Sequence, residues 1–381
     1  MSAVEAHAEP EQRVTPLELF FDLVFVFAIT QVTSLMARVP TWQGLAQGML
    51  VLAALWWAWA GYAWLTNTLA SDDRLARVGI FSAMAAMLVV ALAAPNAFGH
   101  EGVLFGCAYF LVRVLHILVY AEGSPDVGVL LAVKRLAVTA TLGPALLIVA
   151  GLLDNAAQAL VWVAALAIDY AGPLVFGPGG WRVSPAHFAE RFGLIIIIAL
   201  GESIVAIGVG ASGSRLATGV AVAAVLAIAA AAALWWAYFD VVAIVAERRF
   251  RRAEGEEQIR IARDSYSYLH LPMIAGIVLL ALGIKKTVAD FDSPLDIVPA
   301  AALCGGPALY LLGHIGFRLR NVGTLNRQRL ATAVLLLALI SVATHVDALV
   351  ALAGVAVAMC GLIAYEATRF AEARARVRAA R

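Results

Sequence analysis

The chain has 381 residues, 62% of them hydrophobic and only 14% charged, with 27 Lys and Arg set against 26 Asp and Glu. A soluble domain carries about 25% charged residues, so this composition and a mean hydropathy of +0.87 exclude a soluble globular domain and specify an all-α polytopic membrane protein. The near-zero net charge carries no information about partners, because in such a chain charges are sorted by side of the bilayer.

Residues 1–15 are polar and mixed in charge, without the pattern of a cleavable signal peptide, so the first helix is expected to act as its own insertion signal. Apolar stretches long enough to cross about 30 Å of hydrocarbon follow at 16–38, 42–66, 76–96, 102–121, 133–153, 156–176, 188–210, 216–246, 266–286, 298–318, 328–346 and 348–369. That is twelve transmembrane helices. Lys and Arg concentrate on cytoplasmic segments. With both termini cytoplasmic, only Arg38, Arg215, Lys285 and Lys286 fall outside, and Arg113 and Arg191 fall within spans. The three cysteines, Cys107, Cys304 and Cys360, lie in apolar runs without metal-ligand spacing and read as packing residues.

The chain also repeats itself. Glu18-x-Phe20 answers Glu190-x-Phe192, and Leu55-Trp56-Trp57-Ala58-Trp59 answers Leu234-Trp235-Trp236-Ala237-Tyr238. His116 answers His314, Arg135-Leu136-Ala137 answers Arg329-Leu330-Ala331, and Asp169-Tyr170 loosely reverses as Tyr365-Glu366. These matches occur in order. They predict two parallel six-helix repeats, 16–176 and 188–369, joined by a loop at 177–187 and flanked by an N-terminal segment, 1–15, and a basic tail, 370–381. An even number of spans per repeat gives both halves one orientation, related by an axis along the membrane normal.

The string Thr15-Pro16-Leu17-Glu18-Leu19-Phe20-Phe21-Asp22-Leu23-Val24-Phe25-Val26 resembles the opening signature of the bacterial low temperature requirement A family. Glu190-Arg191-Phe192-Gly193-Leu194, Ala199-Leu200-Gly201-Glu202-Ser203, Tyr266 to Gly276, and the Asp72-Asp73 loop ahead of Pro95-Asn96-Ala97-Phe98 resemble it too, over nearly the whole chain. The family is named for a growth phenotype in the cold. The resemblance therefore implies a bacterial cytoplasmic (inner) membrane protein but carries over no substrate, reaction or site residues. The Asp73-Arg74-Leu75-Ala76-Arg77 loop is similar to a major facilitator loop motif but lacks its glycines and final base.

Ionisable residues inside spans are functional candidates, since a charge at the bilayer centre costs about 2.5–3.5 kcal/mol on insertion scales. Glu18 and Asp22 share a face of the first helix; Glu190, Arg191 and Glu202 lie on the seventh, with Glu202 about 18 Å deeper than Glu190. Arg113, His116, Asp169, His270 and His314 complete the set. The expected arrangement is a cytoplasmic vestibule leading to Glu202, with Glu18, Asp22 and Glu190 partnered by Arg113, Arg191 and the histidines. Fixed ion pairs Asp22–Arg113 or Glu190–Arg191, and interhelical hydrogen bonds from His270 and His314, are the structural alternatives. Trp56-Trp57 and Trp235-Trp236 read as packing between the first two helices of each repeat, or as the lining of an organic substrate site. Pro272 and Gly305-Gly306-Pro307 are expected to loosen the ninth and tenth spans, exposing backbone groups.

No metalloprotease, nucleophile-elbow or phosphate-loop motif is present, so no enzyme activity, cofactor or metal is expected. The arginine-rich segment 247–263 and the tail from Arg369 to Arg381 read as solvated stretches suited to anionic lipid, not nucleic acid. These features favour a proton-coupled permease for a small solute or ion, centred on Glu202. The alternative is a non-transporting membrane protein of cold or membrane-stress adaptation.

Overall fold

A computed structural model describes residues 13–68, 74–124, 126–212 and 217–379; Asp72, Asp73 and Arg215 lie outside them. The first half contains α1 (Pro16–Arg38), α2 (Trp42–Thr68), α3 (Arg74–Ala93), α4 (Gly102–Gly123), α5 (Val127–Ala150) and α6 (Asn155–Val175). The second contains α7 (Pro185–Ala211), α8 (Thr218–Phe239), α9 (Val242–Arg252), α10 (Gly255–Ile261), α11 (His270–Ala289), α12 (Ile297–Val322), α13 (Arg327–Ala343), α14 (Ala348–Arg369) and α15 (Ala371–Ala379). Eleven helices among the described residues are long and apolar enough to cross a membrane, so the chain is a multi-pass membrane protein. The eleventh predicted span folds as α13, whose 17 residues reach about 26 Å.

Local chemistry sets the helix ends. Pro16 occupies the first turn of α1, where its missing N–H costs nothing. Thr15 and Glu18 form a reciprocal capping box there. Asp126 caps α5 by accepting from Gly128 N and Val129 N, Asn326 caps α13 through Arg329 N, and Gly323 closes α12 in the left-handed region at φ 74°.

In the first half, α1 packs on α2 and α3, α3 on α4, α4 on α5, α5 on α6, and α6 returns to α2. In the second, α7 packs on α8 and α11, α11 on α12, α12 on α13, α13 on α14, and α14 returns to α8. The halves meet where α1 and α2 lie against α7 and α11. Large apolar side chains such as Leu23, Leu160, Val225 and Val357 face outward, as lipid contact requires.

Glycine has a different use from the predicted loosening. A Cβ on Gly276 of α11 would lie 2.5 Å from Gly306 O of α12, and one on Gly283 would lie 2.5 Å from Leu303 Cα. These residues let the two backbones touch, as small residues do in membrane bundles. Helix α12 runs unbroken through Pro307. The irregular backbone lies just before α11 instead, in a π-helical turn at Ala262–Tyr268. The indole of Trp56 donates to Ser267 O at 2.8 Å, and His270 Nδ1 lies 3.0 Å from Ser265 O.

The 247–263 segment forms short helices with a buried apolar side. Phe250, Ile259 and Ile261 are buried, and Arg251–Glu247, Arg260–Glu256 and Arg249–Glu257 are paired at 2.8–3.3 Å.

Candidate functional site

Three buried polar clusters occupy the spans. The first lies where α1 crosses α7. Glu18 and Asp22, one turn apart on α1, face His187 and Arg191, one turn apart on α7. Arg191 grips Asp22 with both terminal nitrogens, at 2.8 Å to Oδ2 and 3.0 Å to Oδ1, and Trp59 Nε1 donates to Oδ1 at 2.9 Å. His187 Nε2 lies 3.1 Å from Glu18, and its other ring nitrogen lies 2.9 Å from Asn67 Nδ2 of α2. The Arg191 guanidinium also sits over the Trp59 ring, 5.6 Å from its centroid. A buried bidentate pair of this kind offsets its desolvation only with good geometry and further hydrogen bonds. The bidentate grip and the Trp59 bond supply both for Asp22, while Arg191 Nε stands 3.7 Å from Glu18 without a hydrogen bond.

The second cluster lies in the first half. Arg113 Nη2 of α4 donates to Asp169 Oδ1 of α6 at 2.7 Å, with both side chains buried. Beside them, both ring nitrogens of His116 and the Nε of Arg113 are buried without a hydrogen-bond partner. Gly61 of α2 makes room for them: a Cβ there would stand 3.1 Å from Arg113 Nη1 and 3.2 Å from His116 Cε1. Arg113 and His116 line a cavity of about 60 Å³, walled by Trp57, Trp64, Tyr120 and Trp181. Trp57 stacks on Tyr170 at 4.0 Å.

The third cluster lies in the second half. Arg329 of α13 binds Glu366 of α14 at 2.9 Å, His314 Nδ1 of α12 at 2.9 Å and Ala237 O of α8 at 3.1 Å. A larger cavity, about 250 Å³, is lined by Trp236, Arg329 and Glu366 and by Arg374 of α15. Arg374 pairs with Asp240 and reaches Glu366. The predicted solvated tail is therefore partly a docked helix. His270 Nε2 lies 2.8 Å from the Tyr238 hydroxyl, so both His270 and His314 bond between helices.

Glu202 belongs to none of these clusters. It is 3% exposed and points at α1, where Thr30 Oγ1 meets its Oε2 at 2.6 Å. None of the ion pairs among the described residues includes it, although Lys285 of α11 acts on it electrostatically.

Several sequence expectations change. Asp22 pairs with Arg191 rather than Arg113, and Arg113 pairs with Asp169. Glu190 is exposed and receives Val14 N at 3.3 Å, so it does not pair with its neighbour Arg191. Adjacent residues on a helix diverge by about 100°, which explains that correction. Glu202 lines neither of these two cavities. The tryptophan pairs are unlike: Trp56 and Trp57 are buried, whereas Trp235 and Trp236 are 43% and 41% exposed.

Residues 13–364 match the family profile of the bacterial low temperature requirement A protein. The chain belongs to that family. It is also 30% identical over 311 residues to an uncharacterized protein of Rhizobium meliloti (strain 1021), covering 78% of this chain and 75% of the relative. In this low temperature requirement A protein, the opening Glu18–Asp22 motif meets the His187–Arg191 motif of the seventh helix. Sequence reading missed His187, Trp59, Arg329 and Arg374. His187 was visible in principle, since it precedes Arg191 by one turn, as Glu18 precedes Asp22. Among the described residues, no group of three His, Cys, Asp or Glu side chains is placed to hold a metal ion.

Proposed function

We propose that this low temperature requirement A protein is a proton-coupled secondary transporter for a small solute, with Glu202 as its proton-binding group. The supporting observation is the pair of hydrogen bonds available to Thr30. Its hydroxyl lies 2.6 Å from Glu202 Oε2 and 3.2 Å from Val26 O. Ionised Glu202 accepts a hydrogen bond from the Thr30 hydroxyl. Protonated Glu202 donates to Thr30 Oγ1, whose proton then turns to Val26 O. Both charge states are satisfied without moving a helix, which suits a carboxyl group that gains and loses a proton inside the membrane.

The proposed architecture is twelve spans in two parallel repeats, with both termini cytoplasmic, in the bacterial inner membrane. The shared order of helix neighbours in the two halves supports it, as does the placing of His116 beside Arg113, which holds Asp169, in one half and of His314 beside Arg329, which holds Glu366, in the other. The α1–α7 crossing would be the contact between repeats about which alternating access rocks. Solute-dependent proton flux in proteoliposomes tests the reading: wild type is expected to move protons with the transported solute, and Glu202→Gln to lose the coupling. Unchanged proton flux in Glu202→Gln would remove Glu202 from the role.

A further inference from the structure

We infer that the cavity between α2, α4 and α6 is a binding site for a small planar carboxylate. This names the solute class of the proposed transporter and rests on that reading for its biological use, though the binding itself stands apart from it. Two arginines, Arg113 and Arg263, line the cavity, and no aspartate or glutamate does. Carboxylates are therefore kept out of the lining, while each arginine is held from outside it by its own aspartate, Asp169 and Asp264. The binding groups are already built. Arg113 and His116 are 2% and 1% exposed, yet Arg113 Nε and both His116 nitrogens have no partner. In the tautomer that places its N–H on the cavity side, a neutral imidazole offers one donor, so a carboxylate can receive one donor from each residue. Leaving such groups empty costs about 1–3 kcal/mol each, and helices tightly packed on every side would otherwise have no reason to keep them open.

The wall defines the rest of the ligand. The indoles of Trp57, Trp64 and Trp181 make the wall aromatic and largely apolar, and Trp64 meets Trp181 edge to face at 5.7 Å. A tetrahedral phosphate finds too few donors. One side of the Arg113 guanidinium is committed to Asp169 at 2.7 Å. Arg263 is held by Asp264 at 2.7 Å and by Pro173 O at 3.2 Å. The Ser267 hydroxyl already receives Trp64 Nε1 and donates to Ala262 O. A carboxylate on a flat, apolar body satisfies what remains.

Equilibrium dialysis of the purified full-length protein against labelled benzoate tests this, with benzamide and inorganic phosphate as competitors. Saturable benzoate binding is expected. Benzamide should compete at least about tenfold less well, phosphate not at all, and the charge-neutral double variant Arg113→Gln/Asp169→Asn should bind at least about tenfold more weakly. Gly61→Val, which fills the space beside Arg113 without removing a charge, should also abolish binding; it keeps the test decisive if the double variant does not elute as a folded species. Equal competition by benzamide, displacement by phosphate, or benzoate binding unaffected in either folded variant overturns the assignment, as does absence of saturable binding. Benzoate binding without proton-coupled flux upholds the site and overturns only the transporter reading.

Discussion

Thr30 and Glu202 lie 172 residues apart in the chain and 2.6 Å apart across the α1–α7 crossing. The same spacing separates Glu18 from Glu190. In a duplicated bundle, only residues on the axis relating the copies can touch their own counterparts. The contact is therefore what the proposed duplication requires at its axis, and there the copies differ, with a hydroxyl on one side and a carboxyl group on the other.

Replacing Arg191 by Ala should be the most damaging change at this crossing. It leaves Asp22 and Glu18 buried without their cation, a loss of about 3–5 kcal/mol. A thermal unfolding scan in detergent should show a large fall in midpoint. The double variant Arg191→Met/Asp22→Leu should recover part of it, because Asp22 is then no longer stranded and Glu18 keeps His187.

The Arg113–Asp169 pair should behave the same way in the other cluster. Arg113→Gln alone is expected to destabilise more than Arg113→Gln/Asp169→Asn. The comparison needs only the amount of monodisperse protein recovered on size-exclusion chromatography.

Gly276→Ala should cost about 1–3 kcal/mol, since its Cβ would press on the backbone of α12 and a backbone cannot swing aside. Gly201→Ala, which meets nothing within 4 Å, should leave the unfolding midpoint unchanged. Equal effects would argue against the tight α11–α12 seam.

Arg374→Ala should loosen α15, because Asp240 loses its buried partner while Glu366 keeps Arg329. Limited proteolysis should then cut within 370–379 faster than in wild type, while the membrane core stays intact.

Much of the fold was legible because membrane spans announce themselves by length and apolarity, independently of tertiary contacts. Pairings were not legible. Asp22 and Arg113 are both buried acids and bases in spans, and sequence cannot say that Asp22 instead faces Arg191 while Arg113 faces Asp169. That depends on helix rotation, which the nearly uniform apolarity of these helices leaves unmarked. Gly276 and Gly306 read equally well as breaks or as contact points, because glycine permits both. Glu202 was legible as an outlier in depth. Its partner Thr30 was legible only through the repeat spacing, and its separation from both cavities was not legible at all.

The central claim, that Glu202 binds and releases a proton between α1 and α7, is tested most directly by infrared difference spectroscopy between low and high pH on the purified protein. A protonated-carboxyl band should appear at low pH, shift in Thr30→Val, and vanish in Glu202→Gln. A Glu202→Gln spectrum identical to wild type would contradict the account.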